Sequence, residues 1–204
     1  TPDGTSFGLA GAAGTLSFFP AKNLGALGDG GAVFSTDSEL VDHVRRIRQH
    51  GRRARDVYDE LGGNFRLDAM QAAMLGVLLP ALDGWTAARR TNADHYLAAF
   101  SGLERAGALQ LPTPLAGHAW NQFCIRTPPR EALVRTLKAA GVGCAVYYTR
   151  ALHQQAALAA AVPVECLPNA ERCCAEVLAL PVYPGLTEAE RDRVIEVVSD
   201  ALSC

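Results

Sequence analysis

The sequence predicts an α/β protein. Three observations carry that prediction: short apolar, β-prone runs bounded by proline and glycine near the start, long stretches with helical spacing of apolar residues in the middle, and an alternation of the two patterns after Gly102. Thr15 to Phe19 is short and apolar, and Pro20 ends it because proline cannot donate to a sheet ladder. The segment AKNLGALGDGGAVFST then places Gly28, Asp29, Gly30 and Gly31 before a second apolar run. That is the composition of a hairpin whose turn needs positive φ, so two neighbouring antiparallel strands are expected.

From Asp37 the period changes. Leu40, Val44 and Ile47 fall at helical spacing, Thr36 and Glu39 form a capping-box pattern, and Gly51 stands at the stop position, which predicts a helix of about four turns. A polar loop rich in arginine and glycine leads to Asn64. After it, RLDAMQAAMLGVLLPALDGWTAARRTNADHYLAAF predicts a long helix, kinked or broken near Pro80. Beyond Gly102 the pattern predicts a strand near Trp120 to Arg126, a helix near Arg130 to Ala140, a strand near Gly143 to Tyr148 and a helix starting near Pro168. A last amphipathic helix follows, with Thr187 and Glu190 as its capping box and Val194, Val197, Val198 and Ala201 along one face.

The 204 residues, 49% hydrophobic and 20% charged, suit a globular chain able to bury a core as one large domain or two small ones. A net charge of -2 gives no global attraction to nucleic acid or an anionic membrane, and neither partner is expected. No run of eighteen apolar residues and no signal-peptide pattern occurs, which makes the cytoplasm the expected compartment. Cys124, Cys144, Cys166, Cys173, Cys174 and Cys204 contain no C-x-x-C pair with a matching partner, so they read as reduced thiols and no metal site is expected. The chain opens on Thr1 with loop composition running straight into a buried-strand pattern, as expected of a chain entered in mid-fold.

Lys22 follows a strand and a proline on a glycine-bordered turn, so its ammonium projects from a sheet edge. An amine there can meet a ligand, and partial burial makes lysine a nucleophile towards aldehydes. Spacing alone favours a solvated loop lysine. The stretch HVRRIRQHGRRAR holds six arginines and reads first as a solvated face, second as a site for the diphosphate of a nucleotide sugar, and only third as a nucleic-acid contact. GDGG lacks the lysine and hydroxyl of a phosphate loop, and no paired-carboxylate hydrolase site is evident.

The run SFFPAKNLGALGDGGAVFSTD resembles the cofactor-lysine signature of the DegT/StrS aminotransferases, a fold-type I branch of pyridoxal phosphate enzymes that aminate nucleotide-linked keto sugars. RQHGR, GGNFRLDAMQAAML, HAWNQFCIR, YYTRALHQQ and PNAERCCAEVLALPVYPGLTEAERDRVIEVV resemble later elements of that family in the same order. The resemblance implies pyridoxal 5′-phosphate as cofactor, with Lys22 as the catalytic residue that condenses with its aldehyde and then carries a proton between donor and cofactor. It implies Ser17 as a hydroxyl donor to the cofactor phosphate, Asn64 as a second phosphate contact and Arg66 as a bidentate holder of the donor carboxylate, the last two reaching a neighbouring subunit's site in a homodimer. His153 resembles a substrate-facing histidine of the family. The alternatives are a strand serine satisfied by backbone, a helix-capping asparagine and a structural histidine. Where YYT stands, the family carries histidine and proline, so Tyr147, Tyr148 and Thr149 bear on sugar specificity.

On this resemblance residues 1–66 are the end of the cofactor-binding large domain with the last strands of its sheet, 67–101 a long connecting helix, and 102–204 a small C-terminal α/β domain. The amino donor is an amino acid, glutamate or glutamine by resemblance. Dehydratases of the same fold replace the cofactor lysine with histidine, and Lys22 argues against them; a non-catalytic binding or regulatory module is the competing expectation. Since only 21 residues precede Lys22, the acid that pairs with the pyridinium nitrogen and the group stacked on the ring are expected from further sequence. The 204 residues alone are therefore expected to be poorly folded or inactive.

Overall fold

β1 (Gly14–Ser17) pairs antiparallel with β2 (Gly31–Phe34), with Thr15 opposite Val33 and Leu16 opposite Ala32. The structure, a computed structural model, describes residues 11–128, 130–158 and 166–203, and divides into two compact units, Thr1–Gly84 and Trp85–Cys204. The tight glycine turn expected between the first two strands is replaced by a long connection. Gly28, Gly30 and Gly31 are absent from the positive-φ positions. They are small because neighbours approach closely: a Cβ on Gly31 would lie 2.8 Å from the Leu16 carbonyl oxygen.

α1 (Ser38–Ile47) is capped by Asp37, not by Thr36. The Asp37 carboxylate accepts from the N–H groups of Glu39 at 2.9 Å and Leu40 at 3.1 Å, and it complements the helix dipole as a hydroxyl cannot. The helix runs ten residues, a turn shorter than expected, because His50 and Gly51 take φ of 65° and 76° and turn the chain away. The arginine-rich segment forms a small hairpin, β3 (Arg52–Ala54) with β4 (Val57–Tyr58), where a loop was expected. Asp56 at φ 63° makes its turn.

α2 (Ala69–Leu78) starts on Asp68, whose carboxylate accepts from Met70 N–H at 2.9 Å. A 3-10 turn at Leu79–Ala81 contains Pro80, and α3 (Leu82–Arg105) continues beyond it, so proline interrupts the long helix at the expected place. Among the described residues of the first unit the buried apolar side chains are Ala26 and Leu75. Leu16, Val33, Phe34 and Phe65 stay exposed, and the apolar stripe of α1 lines a groove of about 750 Å³ with Leu16, Val33 and Phe65.

The second unit has a core of its own. β5 (Phe123–Arg126) and β6 (Val177–Leu180) pair antiparallel, with Phe123 opposite Leu180 and Ile125 opposite Leu178. α4 (Arg130–Ala139) and α6 (Glu188–Leu202) pack together, and α5 (Pro168–Glu176) runs directly into β6. Tyr96, Phe100, Phe123, Leu137, Leu178 and Val198 are fully buried, with Tyr96 stacked on Phe100 at 5.7 Å between ring centroids. β5 starts later than expected because Trp120 takes φ 43° and cannot continue a strand. The strand expected near Gly143 to Tyr148 reduces to one bridge, Ala145 with Ala179. The capping box of α6 is present, with Thr187 N–H donating to Glu190 Oε2 at 2.8 Å.

Candidate active site

Backbone bonds fold the chain after β1 back on itself. Phe18 N–H donates to the Gly30 carbonyl, Lys22 N–H to the Phe19 carbonyl and Ala26 N–H to the Phe18 carbonyl, each at 2.8 Å. Gly25 closes the turn, and a Cβ there would stand 2.4 Å from the Pro20 carbonyl oxygen. Leu27 N–H donates to Gln71 Oε1 at 2.8 Å, which anchors the turn to the first turn of α2. Lys22 lies on this turn, exposed, and its ammonium bonds to no described residue. The partial burial invoked from the sequence is not supplied by the described residues.

Ser17 ends β1, and its Oγ accepts from Phe19 N–H at 3.3 Å. An accepting hydroxyl keeps its own proton to donate. A free amine and an available hydroxyl on one short segment suit a phosphorylated aldehyde, since the amine condenses with the carbonyl and the hydroxyl donates to an acceptor-only phosphate.

Asn64 and Arg66 lie on a segment pinned to the end of α1, where Gly63 N–H donates to the Ile47 carbonyl and Phe65 N–H to the Arg48 carbonyl, both at 3.0 Å. Arg66 Nε donates to Asn64 Oδ1 at 2.8 Å. The Asn64 amide N–H groups and the outer nitrogens of Arg66 bond to no described residue, so both side chains present donors to an anion. Asp68, not Asn64, caps α2, which removes the capping explanation for Asn64. No described contact joins the Lys22 turn to either residue.

His153 belongs to the second unit, in a 3-10 turn at Leu152–Gln154. Its side chain is 8% exposed, and Nε2 sits 2.9 Å from Glu171 Oε1. Glu171 also accepts from Leu167 N–H at 3.2 Å, and these bonds, His153 first, hold its carboxyl below the usual carboxylate range. Glu171 and Gln71, which bond to His153 and to the Lys22 turn, are contacts that the sequence analysis missed. The one signal for Gln71 is a lone polar side chain in the first turn of an otherwise apolar helix.

Most of the arginine-rich stretch is paired locally: Arg45 with Asp42, Arg46 with Glu60, Arg53 with Asp59 and Arg55 with Asp56. That pattern favours the solvated face over the diphosphate site. The described cysteines are free, and among the described residues no helix is long and apolar enough to cross a membrane.

Residues 1–199 match the DegT/DnrJ/EryC1/StrS aminotransferase family. The chain belongs to that family. The pleiotropic regulatory protein of Geobacillus stearothermophilus is 41% identical over 97% of this chain and 54% of its own length. The UDP-N-acetyl-3-dehydro-alpha-D-glucosamine 3-aminotransferase of Acidithiobacillus ferrooxidans is 40% identical over 98% of this chain and 53% of itself. The dTDP-3-amino-3,4,6-trideoxy-alpha-D-glucose transaminase of Streptomyces venezuelae is 37% identical over 97% and 52%. Among solved structures, S. venezuelae DesV in complex with a ketimine intermediate superposes with TM-score 0.89 at 37% identity, covering 96% of this chain and 53% of DesV. NtdA from Bacillus subtilis, solved with bound cofactor PMP, gives 0.87 at 27%, covering 95% and 46%. The fold is thus that of a fold-type I aminotransferase part, and the family is pyridoxal phosphate-dependent. The chain spans about half the length of the relatives it matches.

Proposed function

We propose that the full-length protein is a pyridoxal phosphate-dependent aminotransferase that moves an amino group from an amino acid, glutamate in this reading, to a nucleotide-linked keto sugar. The observation that carries it is Lys22, whose amine bonds to no described residue, on a turn held by backbone bonds and by Gln71, with the Ser17 hydroxyl five positions before it. The transaminase relatives acting on UDP- and dTDP-linked sugars support the substrate class. The neighbour with bound PMP supports the cofactor.

Pyridoxal phosphate, when bound, supplies an aldehyde for the lysine and a ring that draws electrons from the bond being broken. Lys22 Nζ would hold the cofactor through that aldehyde, with water leaving, and would carry the proton from the donor's α-carbon once the donor's amine has taken its place. Ser17 Oγ donates to a phosphate oxygen, and the Asn64 amide donates to another. Arg66 presents its outer guanidinium nitrogens to the donor carboxylate, with Nε already directed onto Asn64 Oδ1. His153 is the substrate-facing histidine of this reading, with Glu171 bound at its Nε2.

In this reading residues 1–66 end the cofactor-binding domain, 67–101 connect, and 102–204 form the small domain. Asn64 and Arg66 serve the neighbouring subunit of a homodimer. Exposed Leu61, Phe65, Met70 and Val77 on and after that segment support a partner surface there. Free cysteines fit a cytoplasmic, reducing setting. The 204 residues alone are inactive in this reading, which the scant core of the first unit supports. A non-catalytic regulatory role is the second reading, favoured by the name of the G. stearothermophilus relative.

Borohydride reduction of the full-length protein followed by peptide mapping tests the proposal. A pyridoxyl adduct on Lys22, absent in Lys22→Ala along with transamination, is the expected result. A wild-type protein that yields no adduct sinks the enzyme reading and favours the regulatory one.

A further inference from the structure

The segment that leads into β5 is held in an unfavourable backbone shape by two side chains. Trp120 takes φ 43°, a region that bulky residues avoid and that persists only where the surroundings fix it. Trp120 N–H donates to His118 Nδ1 at 3.0 Å, and the imidazole lies against the indole at 4.1 Å between ring centroids. Arg89, on α3, donates from one outer nitrogen to the Trp120 and Asn121 carbonyls, each at 3.2 Å. The indole is buried and packs against Phe123 of β5, with centroids 5.5 Å apart. A backbone N–H can only donate, so His118 Nδ1 must be unprotonated to accept from it. Imidazole is the side chain that changes charge between about pH 5 and 8. His43 and His153 each stand beside a carboxylate, Glu60 and Glu171, which a protonated ring can pair with. For His118 the sign is reversed, since a proton on Nδ1 sets two donors against each other.

We propose that His118 and Trp120 form a pH-operated latch on the segment entering β5: the neutral imidazole holds Trp120 in its left-handed conformation, and protonation of Nδ1 releases His118 to Asn121. This goes beyond the proposed transamination, which uses none of these residues. The groups around the ring do not offset the new charge. Among the described residues no carboxylate pairs with His118, Trp120 and Phe123 bring no charge, and Arg89 from α3 is a second cation bonded to the backbone of the same tryptophan. Arg89 also makes the release cooperative. Its Nε is buried without a partner, burial lowers its pKa, and the two loop carbonyls are its acceptors among the described residues. A segment that leaves His118 takes those acceptors with it, and Trp120 regains a relaxed φ once free. The latch therefore holds above the range in which imidazole changes charge and opens below it.

Hydrogen exchange at the Trp120 amide of the full-length, cofactor-loaded protein tests the latch, with each rate corrected for the intrinsic exchange at that pH. Protection of this amide is expected to fall about tenfold as pH drops through the imidazole range, the scale of one backbone hydrogen bond. The amides of Ile125 and Leu178, paired across β5 and β6, should keep their protection. His118→Asn offers an amide oxygen as acceptor and does not titrate, so its Trp120 amide should stay protected across the whole range. His118→Ala, with no acceptor, should be weakly protected at every pH. Wild-type protection that does not change with pH overturns the proposal. So does an asparagine variant that loses protection as the wild type does, because another group then titrates. Loss of protection at Ile125 and Leu178 together with Trp120 also overturns it, since acid then unfolds the whole unit and opens no local latch.

Discussion

Gln71 Oε1 accepts the backbone N–H of Leu27 at 2.8 Å and so ties the turn that carries Lys22 to the first turn of α2. The two residues are 44 positions apart in the chain. The bond's value in the proposed reading is positional, since a lysine that condenses with a carbonyl needs a backbone that does not drift. Gln71→Leu removes the acceptor and leaves the Leu27 amide to water. The expected stability loss is small, about 1 kcal/mol, because the site is exposed. Hydrogen exchange at the Leu27 amide should speed up while amides of β5 and β6 keep their protection. Unchanged exchange at Leu27 would show that the bond does not hold the turn.

Gly25 admits no side chain. A Cβ there would lie 2.4 Å from the Pro20 oxygen and 2.9 Å from its carbonyl carbon, and backbone atoms cannot step aside as a flexible side chain can. Gly25→Ala therefore forces the Lys22 turn open. The expected outcome in the full-length protein is a loss of the Lys22 pyridoxyl adduct and a fall in transamination of about 100-fold, the scale on which displaced catalytic groups act. Thermal denaturation of the second unit's core serves as the control and should not shift.

The sequence made some of this legible and hid the rest for identifiable reasons. Proline at position 80 and the Thr187–Glu190 box could be read directly, because each acts within one turn of its own residue. Asp37 displaced Thr36 as cap by a single position, a distinction that depends on backbone φ and ψ at the helix start. β6 was hidden because VLAL follows a helix without a break and three of its residues, Leu178, Ala179 and Leu180, are good helix formers. Burial against Phe123 and Ile125 makes it a strand, and that contact lies more than fifty residues away in the chain. Gly28 to Gly31 suggested a tight turn by composition, yet Gly30 and Gly31 make room for Leu67 and the Leu16 carbonyl. The readings of Lys22 and Ser17 rest on a local motif, whereas the Glu171 partner of His153 depends on tertiary packing.

The capping box of α6 offers a stability test away from the site. Thr187 Oγ1 accepts from Glu190 N–H at 3.3 Å and donates to Glu190 Oε2 at 2.8 Å, while Thr187 N–H reaches the same carboxylate oxygen. Thr187→Ala keeps the backbone donor and loses the side-chain half. The expected cost is about 1 kcal/mol in denaturant unfolding of the second unit, with Thr187→Ser close to wild type. An alanine variant as stable as wild type would show that Glu190 alone caps the helix.

The His153–Glu171 pair predicts how the second unit responds to acid. Bonds from His153 and from Leu167 N–H hold the Glu171 carboxyl below its ordinary value, so the folded state binds that proton less readily than the unfolded chain does. A group with a lowered folded pKa contributes stability that is present in full above its unfolded value and is lost as pH falls through the folded one. The pair therefore protects the unit at neutral pH and fails on the acid side of the usual carboxylate range. Glu171→Gln keeps a carbonyl acceptor for Leu167 N–H and for a protonated or Nε2-H His153, but it does not titrate. The difference in denaturation midpoint between wild type and Glu171→Gln should accordingly shrink as pH is lowered through that range and be largest near neutrality. A difference that stays constant across the series would mean that the carboxylate's charge has no part in holding the turn to α5.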